Sequence, residues 1–150
     1  DKDGNLKDWW TAEDAKNFEA RAAVMANFFD SIEVAPGVHA NGEFTLGENI
    51  ADHGGLQVSY QAFKKATAAA PLKIENGFTP EQRFFLSYAN VWAGNIRPEE
   101  ILKRTKTDPH SLGKWRVDGA LPQIGAWYEA FNITEKDPMY LPVDKRVSIW

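Results

Sequence analysis

The stretch TLGENIADHGGL, residues 45–56, decides how the rest of the chain is interpreted. Thr45 with Glu48 at the third following position has the form of a capping box, which predicts that a helix begins here. Glu48 and Asp52 are four residues apart and therefore share one face of that helix. Two glycines follow, and each weakens a helix interior by about 1 kcal/mol. Either this face carries a site, or Glu48 complements the helix dipole and the glycines ease packing.

The same residues, written T-L-G-E-N-I-A-D-x-G-G-L, resemble the third-ligand motif of the neprilysin-like family of zinc endopeptidases. In that family an H-E-x-x-H helix supplies two histidine ligands and a general-base glutamate, and the glutamate of E-N-I-A-D completes the zinc site. The resemblance implies that Glu48 is a ligand of one Zn²⁺ per complete catalytic site. It implies that Asp52 orients a ligand histidine, a common role for such carboxylates.

Residues 1–11, D-x-x-G-N-x-x-D-W-W-T, resemble the family segment that follows the H-E-x-x-H helix by a few residues. We therefore expect that motif just upstream of residue 1. No two of His39, His53 and His110 stand four apart, so both histidine ligands are expected outside this chain. His39 and His53 are assigned no role in the site.

Residues 84–99, FFLSYANVWAGNIRPE, follow a proline at a predicted helix start, with Thr79 and Gln82 forming a capping box. The segment resembles a family helix whose Val-Trp pair lines the pocket for the residue after the scissile bond. The resemblance assigns Val91 and Trp92 to substrate binding. Without it, both side chains would be interpreted as core.

Residues 108–119 begin with Asp108-Pro109, which locally has the form of a helix N-cap followed by its first residue. The pattern D-x-H-S-x-x-x-x-R-V-x-G resembles the family segment that contacts the transition state. The resemblance implies that His110 donates to the tetrahedral oxyanion and that Asp108 orients His110. It also implies that Arg116 binds a backbone carbonyl of the substrate.

Composition limits the remaining possibilities. A length of 150 residues suits a single unit, and 43% hydrophobic with 25% charged residues is ordinary for a globular protein. A net charge of −4 without a basic cluster argues against nucleic acid, and no apolar run is long enough for a membrane span. The absence of cysteine excludes disulfides and thiolate ligands. Because animal members of the family carry cysteines in this region, it also suggests a bacterial member.

Apolar periodicity and turn signals predict a mainly α fold. Short extended pieces are expected near 34–40 and 146–149. Helices are predicted over residues 12–30, 46–70, 98–103 and 122–131, and from Pro80 onward. The resemblance implies the helical C-terminal part of a thermolysin-like (gluzincin) catalytic domain, with 1–150 as one unit. Because family members end in a short segment closing on Trp, the natural C-terminus is expected at Trp150.

Together these features predict a zinc-dependent endopeptidase of the neprilysin type that hydrolyses small peptides. The chain would supply one ligand and part of the substrate site, and would be inert alone. Its partners would be peptide substrates and the upstream part of its own chain. From the resemblance we expect the protein in the cell envelope, in the periplasm or secreted from the cell. The alternative is a non-catalytic helical interaction or packing module whose acids serve only as helix caps. An intact or degraded H-E-x-x-H upstream would discriminate between the two.

Overall fold

The computed structural model describes residues 1–147 and residue 149, and most of the ordered elements are helices. The helices are α1 Ala12–Asp30, α2 Leu46–Thr67, α3 Pro80–Val91, α4 Pro98–Thr107, α5 Gly113–Asp118 and α6 Gly125–Phe131. Strands β1 Glu33–Ala35 and β2 Val38–His39 pair antiparallel, and short 3₁₀ turns lie at Leu121–Gln123 and Val143–Lys145. The mainly α prediction is confirmed, as is the extended piece near 34–40. No helix in the described part of the chain is long and apolar enough to span a membrane.

The extended piece predicted near 146–149 is only partly described. Arg146 has extended backbone angles, and Val147 is buried with its N–H donating to the side-chain Oε1 of Gln123 at 2.8 Å. Neither residue belongs to a strand. Ser148 lies outside the described residues, and so does Trp150, on which the C-terminal prediction was placed.

The capping box predicted at the start of α3 is confirmed. The Thr79 hydroxyl accepts from the Gln82 N–H at 3.2 Å, and the Gln82 side chain accepts from the Thr79 N–H at 3.0 Å. Pro80 occupies the first helical turn, where its missing N–H costs nothing. Local signals alone therefore fix this end of α3.

The capping box predicted at Thr45 and Glu48 is wrong, although α2 does begin at Leu46. The Thr45 side chain makes no cap hydrogen bond, because its hydroxyl donates to the Asn41 carbonyl at 2.9 Å. It also accepts from the Asn49 side-chain amide at 3.0 Å. The Thr45 hydroxyl thus serves a buried network, and Glu48 is free to point elsewhere.

Other helix boundaries also differ from the prediction: α4 runs to Thr107 and not to residue 103, and α6 begins at Gly125 and not at residue 122. Helix α2 ends at Thr67 and not near residue 70, because the ring of a proline clashes with the carbonyl four residues before it, and Pro71 stands four after Thr67. Asp108 and Pro109 do not start a helix. Asp108 is the C-cap of α4, which runs to Thr107, and the next helix begins only at Gly113.

The core is divided into two clusters. The smaller one packs α1 against the N-terminal half of α2, and Gly42 permits the close approach, because a Cβ there would lie 2.0 Å from the Ala26 carbonyl oxygen. The larger cluster joins α2, α3 and α6. Its buried members are Leu56, Phe85, Leu121, Ile124, Trp127 and Tyr128. Helix α2 therefore spans both clusters and carries the face that presents Glu48 and Asp52.

Candidate active site

The first half of the candidate site is a line of three side chains from two segments distant in sequence. Nε2 of His110 lies 3.2 Å from Oε2 of Glu48, and Nδ1 of the same ring lies 2.8 Å from Oδ1 of Asp108. Both ring nitrogens therefore face carboxylate oxygens, which only accept hydrogen bonds. Whichever ring nitrogen carries a proton therefore has an acceptor in front of it. The structure thus brings together three residues that the sequence assigned to ligation, oxyanion donation and orientation.

The Asp108 carboxylate is held from both sides. Its Oδ1 also accepts from the His110 backbone N–H at 3.0 Å, and its Oδ2 accepts from Nε and Nη2 of Arg104 at 2.9 and 2.7 Å. The His110 backbone bond, followed by the Arg104 guanidinium, holds the pKa of the Asp108 carboxyl well below its usual range. Asp108 is therefore ionised at neutral pH, and its carboxylate acts only as a hydrogen-bond acceptor.

The second half of the site is an ion pair on the same face of α2. Nε and Nη2 of Arg116 donate to the two carboxylate oxygens of Asp52 at 2.7 and 2.6 Å. The guanidinium also stacks on the Trp92 ring, 3.8 Å from its centroid. Hydrogen bonding to Asp52 raises the pKa of Arg116, so the guanidinium stays positively charged. Three residues that the sequence assigned to different tasks thus form one stacked unit.

Tyr88 connects this unit to α3. Its hydroxyl donates to the backbone carbonyl of Arg116 at 2.7 Å. Burial, and then the nearby Asp52 carboxylate, raises the pKa of Tyr88 to about 12, so the hydroxyl keeps its proton. Tyr88 therefore fixes the distance between the helix that carries Val91 and the helix that carries Arg116.

A buried polar network attaches the 108–112 segment to α2. The Ser111 hydroxyl donates to Asn49 Oδ1 at 2.7 Å, and the Asn49 amide donates to the Thr45 hydroxyl at 3.0 Å. All three side chains are buried, and buried polar groups with satisfied partners specify one arrangement of the chain. This network explains why His110 lies beside Glu48, although 62 residues separate the two in sequence.

An open cleft of about 790 Å³ lies beside these side chains. Its lining includes Val91, Trp92, His110 and Arg116, four of the residues that the sequence assigned to the site. Val91, at the end of α3, exposes 68% of its surface, which suits a contact surface better than a core. Glu48, Asp52 and Asp108 are not among the lining residues, but each contacts one that is, either His110 or Arg116.

The side chains of this site can supply part of the ligand set of a zinc ion. Among residues 1–147 and 149, no three His, Asp or Glu side chains form a metal-binding cluster. Glu48 nevertheless offers a carboxylate with 42% of its side chain exposed, on a face next to an imidazole. Carboxylate oxygen is a normal zinc ligand, and a catalytic zinc site takes three protein ligands. The described residues therefore fit one ligand position of such a site.

The two remaining histidines lie away from the cleft. His39 is exposed on β2, with Nδ1 3.2 Å from the Asp30 carbonyl. His53 has no exposed surface and forms a contact of 2.9 Å between its Nε2 and the Gln57 side-chain nitrogen. Burial lowers the pKa of His53, so it is a neutral core residue.

Two residues around the site were missed from the sequence. Arg104 stands four residues before Asp108, a spacing that lets two side chains meet on a helix, and this signal was available. Tyr88 gave no such signal, because its partner is a backbone carbonyl 28 residues away.

The fold around this site is shared with metalloproteases of known structure. The zinc metalloprotease Zmp1 of Mycobacterium tuberculosis, solved with an inhibitor, superposes with a TM-score of 0.93 at 35% identity, over 100% of this chain and 24% of that one. The helical composition matches the C-terminal part of such structures. The fold is therefore that of the helical C-terminal part of a zinc metalloprotease.

The chain belongs to Peptidase family M13, whose family model matches residues 1–147. Human neprilysin is 38% identical over 154 residues, which cover 99% of this chain and 20% of that protein. Mouse membrane metallo-endopeptidase-like 1 is 40% identical over 157 residues, which cover 100% of this chain and 20% of that protein. The chain thus spans about a fifth of the length of these curated relatives.

Proposed function

We propose that the complete protein is a zinc-dependent endopeptidase of the neprilysin type that hydrolyses peptide bonds in small peptides. The observation that carries this proposal is the contact of His110 with both Glu48 and Asp108 at the edge of an open cleft. Membership in Peptidase family M13 supports it. In this proposal residues 1–150 are one unit of the catalytic domain.

Glu48 would be the carboxylate ligand of the zinc, with two histidines from an H-E-x-x-H segment completing the site. When bound, Zn²⁺ would polarise the scissile carbonyl and favour an activated water. Asp52 would orient one of those histidines while it pairs with Arg116, because each carboxylate oxygen can accept more than one hydrogen bond. The chain itself would then contribute the ligand Glu48 and the charged side chains near it, Asp52 and Arg116.

His110 would act on the tetrahedral species formed by attack on the peptide carbonyl. An oxyanion is stabilised by donors that are already aimed at the place where its charge develops. Nδ1 of His110 is fixed by Asp108 at 2.8 Å, which leaves Nε2 as the donor toward the Glu48 side of the cleft. Holding a proton at Nε2 is the role proposed for this ring.

Substrate positioning would fall to the Arg116 unit. The Nε–H and one Nη2–H are used by Asp52, which leaves the N–H groups of Nη1 and the second N–H of Nη2 to bind a backbone carbonyl of the peptide. Stacking on Trp92 holds the guanidinium plane in place. Val91 would contact an apolar side chain of the substrate, with Trp92 beside it.

The partners proposed are peptide substrates and the rest of the same protein. Trp9 and Trp10 lie side by side with their ring centroids 5.6 Å apart, and both are exposed, Trp9 to 68%. Such surfaces favour burial against another part of a protein. We place the protein at the cell envelope or outside the cell, which agrees with the word membrane in the name of the mouse relative.

The proposal is tested by comparing residues 1–150 with the complete protein. Because one carboxylate ligand holds zinc weakly, residues 1–150 alone should show no tight zinc binding in calorimetric titration and no peptide cleavage. The complete protein should cleave small peptides and lose that activity to a chelator. Submicromolar zinc binding or cleavage by residues 1–150 alone would show that the site is misplaced.

The rival, a helical packing module, makes the opposite prediction for the complete protein. Its acids would serve as helix caps, yet Glu48 makes no capping-box bond and instead contacts His110. A complete protein that folds, carries a degraded H-E-x-x-H segment and cleaves no peptide would support the rival.

A further inference from the structure

Asp108 offers four acceptor positions on its two carboxylate oxygens, and four donors occupy them. Oδ1 takes the backbone N–H and Nδ1 of His110, at 3.0 and 2.8 Å. Oδ2 takes Nε and Nη2 of Arg104, at 2.9 and 2.7 Å. His110 therefore binds one edge of the carboxylate, and Arg104 alone fixes the other edge among the described residues.

Arg104 reaches this position because of how α4 ends. Asp108 is the C-cap of α4, and its backbone N–H donates to the Arg104 carbonyl at 2.9 Å. The side chains at these two positions, four apart, meet on the same face of the helix. The guanidinium is a planar, permanently charged fork, so two of its N–H groups converge on one oxygen in a fixed direction.

The stability of the fold does not account for this contact. The Arg104 side chain is 40% exposed and Asp108 is 22% exposed, and ion pairs of this kind contribute little to stability. Arg104 does, however, line the same cleft as His110. Its contact fixes the plane of the carboxylate, which in turn sets the direction of the His110 ring toward the Glu48 side.

We infer that Arg104 is a positioning residue, which acts on the reaction through Asp108 and His110. This inference rests on the proposed peptidase function. Without Arg104, water would solvate Oδ2, and the carboxylate could turn about its Cβ–Cγ bond. The His110 ring would then lose its fixed aim, and misplacement of a reacting group by about 1 Å can cost as much as 100-fold in rate.

The test is steady-state kinetics of the complete protein with Arg104→Gln and Arg104→Lys. Arg104→Gln should lower kcat by about tenfold and leave KM within about twofold, because the loss falls on the transition state. Arg104→Lys should recover part of kcat, since it keeps the charge and loses the fork. Lys103→Gln is the matched control, because Lys103 pairs with Glu100 at 3.7 Å on the same helix, and it should behave as wild type.

A double variant separates positioning from a merely structural effect. If Arg104 acts through His110, Arg104→Gln should cause no further loss of kcat in a His110→Phe background. The same fold loss in both backgrounds, an unchanged kcat, or a rise in KM alone would overturn the inference. The wild-type assay reports separately on the proposed function: a wild-type protein that cleaves no peptide overturns that function, and this inference falls with it.

Discussion

Asp52 and Arg116, 64 residues apart, form a two-pronged ion pair in which Arg116 Nε and Nη2 lie 2.7 and 2.6 Å from the two carboxylate oxygens. Their side chains are only 13% and 14% exposed. The pair joins the helix that carries Glu48 to the cleft wall at Trp92. The pair therefore connects the helix of the proposed metal ligand with the proposed substrate surface.

Arg116→Met should raise KM much more than it lowers kcat, because a contact made equally in the ground state and the transition state adds only to binding. Arg146→Met is the control, since Arg146 also stacks on an aromatic ring, Tyr128 at 3.6 Å, and is not among the residues that line the cleft. Steady-state kinetics decide the matter. A fall in kcat at unchanged KM would remove Arg116 from substrate positioning.

Asp52→Asn should lower zinc affinity by roughly 10–100-fold, as is typical when a group that orients a ligand is lost. It should also raise KM, because the amide no longer holds the Arg116 guanidinium by charge. Competition with a zinc chelator measures the affinity in the complete protein. An unchanged affinity would restrict Asp52 to its pairing with Arg116.

His110→Phe should lower kcat by about 10²–10³ with little change in KM, since the lost donor acts on the transition state. His39→Phe is the matched control, because His39 is an exposed histidine outside the cleft. Kinetics in which His110→Phe raises KM and spares kcat would contradict the assignment.

His53 should make the fold sensitive to acid. Burial lowers the pKa of His53 below its ordinary 6.5, so the unfolded chain binds a proton first as pH falls. Below about pH 6.5 the free energy of unfolding should decrease by up to about 1.4 kcal/mol per pH unit from this group, until the folded state also takes up the proton. Thermal unfolding midpoints from pH 8 to 5.5 should fall less steeply in His53→Gln. His39→Gln should keep the wild-type slope, and equal slopes in all three proteins would refute the prediction.

The parts of the fold that the sequence predicted are those set by local signals. The start of α3 depends on Thr79, Pro80 and Gln82, which lie within four residues, and it was predicted correctly. Thr45 and Glu48 carry the same local signal, yet the Thr45 hydroxyl is taken by Asn41 and Asn49. Both partners are four residues away, and Asn49 is itself held by Ser111, 62 residues further along the chain, so the three-residue capping-box pattern does not show these contacts.

The candidate site divides in the same way. Motif resemblance selected Glu48, Asp52, His110 and Arg116. In the structure they form two contacting pairs, Glu48 with His110 and Asp52 with Arg116. The resemblance could not select their partners, because the pairing of Asp52 with Arg116 depends on how α2 and α5 pack. The roles of these residues remain predictions.

The most direct test of the proposed function is the zinc content of Glu48→Gln in the complete protein, measured by atomic absorption beside its peptidase activity. Gln keeps the shape and the helix position of Glu48 but loses the carboxylate charge, so circular dichroism should match the wild type. The proposal predicts that zinc and activity are lost together. A Glu48→Gln protein that retains the wild-type zinc content would contradict the assignment of Glu48 as the ligand.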